Sequence, residues 1–526
     1  MDRSRVHTLM EPACIRHTDL PGTTRLFADF TYHFDRVARF YTHNPHDPAA
    51  LAEAAREIRY PEERRAGMVA ALRAQNGDSV TLDRLAQAGT VAVVTGQQVG
   101  LFSGPAYTVY KAITAARLAR DLTERGIPAV PIFWLATEDH DFAEVNHAWV
   151  FDAGHQPVML HVDPPPENTR QRPVGNISIH APVDALASAL GGFPFGEEVI
   201  AAVREAYAPG ATMGAAFRAL LRKLLGQLDL LFLDPLDPAV RKIGAPLVAD
   251  ALGAAAELKA KLLERNHALE AAGYHAQVHL DAKTSLFFLL ENGERVPVRR
   301  ANSDYADLHD RAAEISPNAL LRPVMQDYLL PTVAYIGGPA ELAYLAQSQV
   351  IYDRLLGRMP VVTSRSSFTL LEPRAAKLLD RYRLTVADTF VNEEALRERI
   401  ARALTPASLE RAFADAHDGM AHNIDGLHRE LQKFDRTLAA SLEKAHAKML
   451  YQLEKTRRKI ERESLRRDER AMAEAHYLSA LLFPHRHPQE RFYSILPFLA
   501  KHGPDLIAMV YEAARLDCPD HHVLTI

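Results

Sequence analysis

The sequence predicts an α/β fold whose core is interrupted by two insertions and followed by a C-terminal α-helical coiled coil. Three observations carry that expectation. A β-branched run, Gly89–Thr95, passes through a glycine loop into a helical stretch and then into a second apolar run, Ala129–Ala136. The same strand–loop–helix–strand grammar returns near 330–370, after two excursions. Beyond residue 391, apolar residues recur at spacings of three and four, and neither proline nor glycine breaks the run after Gly426.

A chain of 526 residues is too long for one hydrophobic core, so several units are expected. With 48% apolar and 24% charged residues, it has the balance of a globular protein rather than a disordered one. A net charge of −5 supplies no basic face, so neither nucleic acid nor a membrane is an expected partner. The start, MDRSRVHTLMEPACIRH, has no apolar signal region. No run approaches the roughly 20 apolar residues of a membrane span, and a cytoplasmic protein is expected. The two cysteines, Cys14 and Cys518, sit near opposite ends of the chain. They read as incidental, supporting neither a disulfide framework nor a cysteine-based zinc site, and no metal ligands are assigned.

The elements follow in order. Residues 1–150 form the first part of the core. Ala49–Ile58 and Pro61–Gln75 are Ala/Glu/Arg-rich with helical spacing, and Asn76-Gly77-Asp78 closes the second. The strand Gly89–Thr95, a helix from Ala106 to Arg125 ended by Gly126, and the strand Ala129–Ala136 make a βαβ unit of a Rossmann-like core. Residues 151–225 read as a first insertion, with Pro164-Pro165-Pro166 marking irregular chain before a helix near Thr212–Leu228. Segment 226–240 returns a core strand, Leu230–Asp234. Segment 241–325 is a second insertion, continuing the helical stretch Pro238–Gly273 into strands at His275–Phe288 and Arg295–Arg299.

The second part of the core, 326–390, holds the strand Val333–Gly337, the helix Ala340–Leu356 and the strand Pro360–Thr363. In 391–490, Ile424, Leu427, Leu431, Phe434, Leu438, Leu442, Ala445, Met449, Leu453 and Ile460 form one apolar seam with a stutter at Leu438–Ala445. Its length predicts a helix of about 40 residues or more, in a coiled coil or a helical hairpin. The basic stretch Lys455–Arg470 is interleaved with acids and reads as a self-paired helix face. Segment 491–526 returns to the core, with His522–Ile526 as an edge strand.

Ligands of open α/β sheets bind beyond the carboxyl ends of the strands, and four polar loops fall there. The first runs from Thr95-Gly96-Gln97-Gln98 through Gly104 to Tyr107 and Lys111. A glycine loop before a helix lets backbone N–H groups approach an anion, although tight turning explains the glycines equally well. Its spacing fits neither GxxxxGK[ST] nor GxGxxG. The second is Glu138-Asp139-His140-Asp141. Four ionisable groups after a buried strand are costly unless solvated, paired or used. A carboxylate there suits an amine nucleophile and His140 suits a base or donor; the alternative is an N-cap on a helix running through His147. The third is Gly337-Gly338-Pro339 with Glu341 and Tyr344, again offering backbone N–H groups, unless Glu341 merely complements the helix dipole. The fourth centres on Arg365, a clamp for carboxylate or phosphate, or one half of a surface salt bridge.

The blocks TGQQVGLFSGPAYTVYKA (95–112), PIFWLATEDHDFAEVNH (131–147), LRPVMQDYLLPTVAYIGGPAELAYLAQ (321–347) and PVVTSRSSFTLLEP (360–373) carry a resemblance. Together they resemble the signature blocks of the bacillithiol biosynthesis cysteine-adding enzymes, the BshC family, over essentially the full chain. The resemblance implies a ligase joining L-cysteine to glucosaminyl-malate. It implies a core similar to class I aminoacyl-tRNA synthetases and nucleotidylyltransferases, with the insertions as connective peptides 1 and 2 and a coiled coil that makes a homodimer. It also implies a site at Gln97, Gln98, Tyr107, Lys111, Glu138, Asp139, His140, Asp141 and Arg365. Condensing a free carboxylate with an amine is uphill in water, so an acyl-phosphate or acyl-adenylate of cysteine is expected, near Lys111 and Arg365. ATP and Mg²⁺ are the open cofactor candidates. Two other readings stand beside the ligase: a metal-dependent hydrolase or phosphotransferase built on residues 138–141, and a coiled-coil interaction protein with a degenerate core.

Overall fold

The structure, a computed structural model, describes residues 13–164, 171–281, 284–299, 305–466 and 468–526. Pro165 and Pro166 of the proline run lie outside the described residues, as does the chain before Ala13. Two compact units are present, one of residues up to Leu370 with Glu490–Leu524, the other Leu371–Gln489.

The core of the first unit is a five-stranded sheet: β1 (Val91–Gln98), β2 (Ala129–Ala136), β3 (Leu231–Leu233), β4 (Thr332–Gly337) and β5 (Val361–Ser364). Its order is β5-β4-β1-β2-β3, and every pairing is parallel. This is a Rossmann-like, doubly wound arrangement, and it explains the unbroken apolar runs, because both faces of a parallel sheet are covered. β2 is buried at every position but the last, and β4 throughout. Helix α1 (Tyr107–Glu124) follows β1, and helix α2 (Pro339–Leu355) follows β4. The strand order reverses between β1 and β4, so a crevice opens at their carboxyl ends.

The insertions differ from expectation in detail. The first begins with a hairpin, His147–Phe151 against Pro157–His161, and continues as the helices Val183–Leu190, Gly196–Ala206 and Met213–Leu224. In the second, the helical stretch is two helices, Pro238–Gly253 and Ala255–Ala271, parted at Ala254. The expected strand His275–Phe288 is a strand only at its end. Its backbone is drawn elsewhere: the Val278 amide donates to the Gln347 side chain at 2.8 Å, and Asp281 and Thr284 close a local turn. The sheet here pairs Phe287–Glu291 with Glu294–Pro297 on one side and Ile315–Pro317 on the other.

In the second unit the seam does not lie on one helix. Helices Ala407–Phe434 and Arg436–Arg466 are separated by Asp435, whose backbone is extended and whose carboxylate accepts the Thr437 and Leu438 amides at 2.6 and 3.2 Å. The apolar spacing runs through the break unchanged, while an aspartate N-cap restarts the helix. The two helices fold back on each other, pairing His428 with Glu443 and Glu410 with Arg457. The coiled coil is thus an antiparallel hairpin within the chain.

His521–Thr525 returns as expected but not to an edge. It is the middle strand of a separate three-stranded sheet, between Ala13–Ile15 and Ser367–Leu371. That pairing sets Cys14 opposite His522 and brings the Cys14 and Cys518 sulfurs to 3.4 Å. Cysteines 504 residues apart are therefore neighbours, which sequence separation conceals. Among the described residues no helix is long and apolar enough to cross a membrane.

Candidate functional site

A cavity of about 490 Å³ opens at the carboxyl ends of β1, β2 and β4, where the strand order reverses. β1 contributes Gly96, Gln97 and Gln98; α1 contributes Tyr107 and Lys111; the turn after β2 contributes Glu138 and Asp139. Gly338, Glu341 and Tyr344 enter from the loop and helix after β4. Glycine is required at position 96, since a Cβ there would stand 2.8 Å from the Trp134 carbonyl oxygen.

One side of the cavity is built on a buried ion pair. Lys111 projects from α1 under the sheet edge and donates to Glu341 Oε2 at 2.6 Å, to Gln97 Oε1 at 3.1 Å and to the Gly96 carbonyl. Glu341 is the third residue of α2 and closes a capping box, accepting the Gly338 amide at 2.8 Å. Tyr335 donates to its other oxygen at 2.6 Å. Burial alone pushes the Glu341 carboxyl up, but Lys111 and these hydrogen bonds outweigh it and hold the group below its usual range. Arg322, half-buried, donates to the Tyr344 hydroxyl at 3.0 Å beside the same pair.

The opposite chemistry lies on the turn after β2. Asp139 is half-buried; its Oδ1 accepts the His140 amide at 2.7 Å, and its Oδ2 accepts Gln98 Nε2 at 2.7 Å. The same Gln98 nitrogen donates to Glu144 at 2.8 Å, so one amide bridges two carboxylates at the cavity's lip.

The structure sorts the residues singled out in the sequence. Gln97, Gln98, Tyr107, Lys111, Glu138, Asp139, Gly338, Glu341, Tyr344 and Arg365 come together on the cavity. Thr95 instead stitches β1 to β4, its hydroxyl donating to the Ile336 carbonyl at 2.9 Å. Gly104 lies away from the cavity in a left-handed turn, and Gly337 is spent on receiving the Arg365 amide. Part of the first glycine loop is closed to an anion. Its amides at Gly100, Phe102, Gly104 and Ala106 already donate to Gln98, Tyr207, Leu101 and Tyr493.

Within 138–141 the four groups diverge. Glu138 is buried in an ion pair with Arg241, and burial keeps its carboxyl above the usual range against the pull of Arg241 and Arg295. Asp141 is an N-cap, accepting the Glu144 amide at 3.3 Å, but the helix it starts covers only Phe142–Val145, and His147 already begins a strand. His140 does not line the cavity. Its Nδ1 receives Arg295 at 2.9 Å, and burial together with that guanidinium keeps the imidazole below its ordinary pKa and neutral. Arg365 clamps a carboxylate bidentately, but it is the chain's own Glu490, at 2.6 and 2.8 Å, in a fully buried pair rather than a surface one. Burial raises the Glu490 carboxyl, yet Arg365 overrides it and brings it to about 2.

Sequence reading missed three arginines. Arg295 arrives on the second insertion's hairpin, with Phe288 stacked beneath it at 3.9 Å. Arg322 precedes Pro323 at a helix start, and that proline was the available signal. Arg491 comes from the returning C-terminal segment; it is exposed, and its side chain makes no ion pair or hydrogen bond among the described residues. The second insertion thus supplies part of the cavity wall.

Comparison with known proteins is consistent along the whole chain. A family model described as "Bacillithiol biosynthesis BshC, N-terminal Rossmann-like domain" matches residues 10–366. A second, "Bacillithiol biosynthesis BshC, C-terminal coiled-coil domain", matches 368–526. A protein of Solibacter usitatus named "Putative cysteine ligase BshC" is 52% identical over 98% of this chain and 100% of its own length. Its namesake in Koribacter versatilis is 37% identical over the same shares, and that of Salinibacter ruber is 34% identical over 95% of this chain and 96% of its own.

Proposed function

The chain belongs to the BshC family of bacillithiol biosynthesis, and from that premise we propose that it joins L-cysteine, through an activated carboxylate, to the amine of glucosaminyl-malate. The observation that carries the reading is a single cavity with an acidic lip and a cationic interior. Asp139 and Glu144, bridged by Gln98, attract an ammonium group and accept N–H hydrogens from the neutral amine, directing its lone pair at the carbonyl. Arg491 faces the same space with no ion-pair partner among the described residues and suits the malate carboxylates or the activated cysteine. Lys111, neutralised by Glu341, shapes the floor and positions Gln97. His140 acts through Arg295 as a positioning residue.

The donors also bear on activation. Four amides of the first glycine loop, at Gly100, Phe102, Gly104 and Ala106, are bonded internally, which weighs against a triphosphate cradle built on them. Glu138 and Asp141 are committed to Arg241 and to a cap, so residues 138–141 do not converge on a metal. ATP, carried as its Mg²⁺ complex, is therefore proposed as a co-substrate rather than a resident group. The test is incubation of the purified chain with glucosaminyl-malate and L-cysteine, with and without ATP and Mg²⁺, and in cell extract, read by mass spectrometry. Cysteinyl-glucosaminyl-malate is expected in at least one arm. Its absence from all of them, with folded protein and authentic substrate, contradicts the proposal.

The helical hairpin supports a homodimer. It leaves Leu427, Phe434, Leu438, Met449 and Tyr451 exposed, large apolar side chains on an otherwise charged surface. Light scattering should give twice the chain mass for the intact protein and the chain mass for Leu427→Lys with Leu438→Lys. An intact protein already monomeric at micromolar concentration contradicts the dimer.

A further inference from the structure

The two termini of the first unit meet in a cluster that the cavity does not use. Cys14 lies on the strand Ala13–Ile15, and His522 lies directly opposite it on His521–Thr525. Cys518 reaches the same point from the preceding loop. The Cys14 and Cys518 sulfurs are 3.4 Å apart, and Cys14 Sγ is 3.6 Å from His522 Nδ1. Ligand atoms from all three residues lie within 4.8 Å of one another.

These separations are those of a metal's coordination edge. Around tetrahedral zinc, thiolate bonds of about 2.3 Å and an imidazole bond of about 2.0–2.1 Å place sulfur and nitrogen about 3.6 Å apart and two sulfurs about 3.8 Å apart. The first edge is matched, and the second requires an outward movement of about 0.4 Å. A disulfide would account for the two sulfurs but would leave the imidazole aimed at Cys14 without a purpose. His522 is buried and stacked on Phe368 at 5.2 Å, so its ring is held in place. Cys14 is exposed, which leaves a fourth position for water. Two soft thiolates and one imidazole select zinc over magnesium or calcium.

We propose that Cys14, Cys518 and His522 form a zinc site that staples the N-terminal strand to the C-terminal strand. The site is separate from the ligase cavity and independent of that assignment. Each zinc displaces the thiol protons of Cys14 and Cys518, so binding releases two protons while the neutral imidazole gives none.

The test uses the full chain, purified without chelator or added metal and analysed by elemental mass spectrometry, then stripped and titrated with Zn²⁺ and Co²⁺. One zinc per chain is expected, with two protons released per zinc in weak buffer. Cobalt should give a thiolate charge-transfer band and the strong visible bands of a tetrahedral site. Cys14→Ser and Cys518→Ser should abolish binding, and His522→Gln should weaken it at least about ten-fold. If a variant fails to fold, the wild-type cobalt spectrum and proton count still decide. Absence of a stoichiometric metal and of the cobalt spectrum overturns the proposal. So does zinc retained by a folded Cys14→Ser Cys518→Ser double variant, or an intact mass two hydrogens short, which marks a disulfide instead.

Discussion

The two sides of the cavity look alike in the sequence and behave differently in the structure. Glu341 with Lys111, and Asp139 with His140, are both pairs of ionisable residue types in the segments that follow buried strands. In the first pair the side chains are 1% and 19% exposed, and the ammonium and both carboxylate oxygens are held by partners within the chain. In the second the side chains are each about one-third exposed, and the Asp139 carboxylate opens on the cavity. Charge at a strand end is therefore not one signal. Burial with full satisfaction makes scaffold, and partial exposure leaves a group able to meet a substrate.

The largest stability effect should come from the buried side. Glu341→Ala strands Lys111 without its partner and removes the cap of α2, and should cost about 3–5 kcal/mol in urea unfolding. A loss below about 1 kcal/mol would place this pair with the open one.

The buried side continues behind Arg365, where Ser367 joins Glu490 to His521. Burial holds His521 at about 3 and His17 at about 4, both below the ordinary 6.5. Between those values the unfolded chain binds protons that the folded chain refuses, so stability is full above pH 6.5 and falls as the pH is lowered. At pH 5 each histidine should contribute a loss of about 2 kcal/mol, read from urea midpoints between pH 7.5 and 5. A flat profile would show that these imidazoles are already charged in the folded chain.

On the open side, Arg491→Ala should raise KM for the anionic substrate about ten-fold, or about 1.4 kcal/mol, with little change in kcat or melting temperature. A fall in kcat with KM unchanged would move Arg491 from binding to the transition state. Asp141→Asn should be the quietest change, within about 0.5 kcal/mol, because asparagine caps as well as aspartate. Full loss of activity in that variant would make Asp141 more than a cap.

What the sequence made legible follows from what is local. The runs 89–95 and 129–136 and the turn into α1 are set by neighbours in the chain, so β1, β2 and the residues Gln97, Gln98 and Lys111 could be placed. Arg491 and Arg295 could not, because they reach the cavity through a returning C-terminal segment and an inserted hairpin. The partners that changed the meaning of Glu138 and Arg365 are also distant: Arg241 is 103 residues away and Glu490 is 125. Asp435 was local but outweighed, since apolar spacing continues through a helix break that a single aspartate announces. The terminal cysteines were hidden by the opposite error, in which distance along the chain stood for distance in space.

Under the proposed function, the half-open carboxylate, not the buried pair, meets the amine. Asp139→Asn tests it most directly, with conjugate formation and melting temperature measured on the same preparation under the conditions in which the wild type makes product. A fall in rate of at least about 100-fold is expected with the melting temperature nearly unchanged, since a solvated carboxylate contributes little to packing. Conjugate formed at the wild-type rate by a folded Asp139→Asn protein would contradict it.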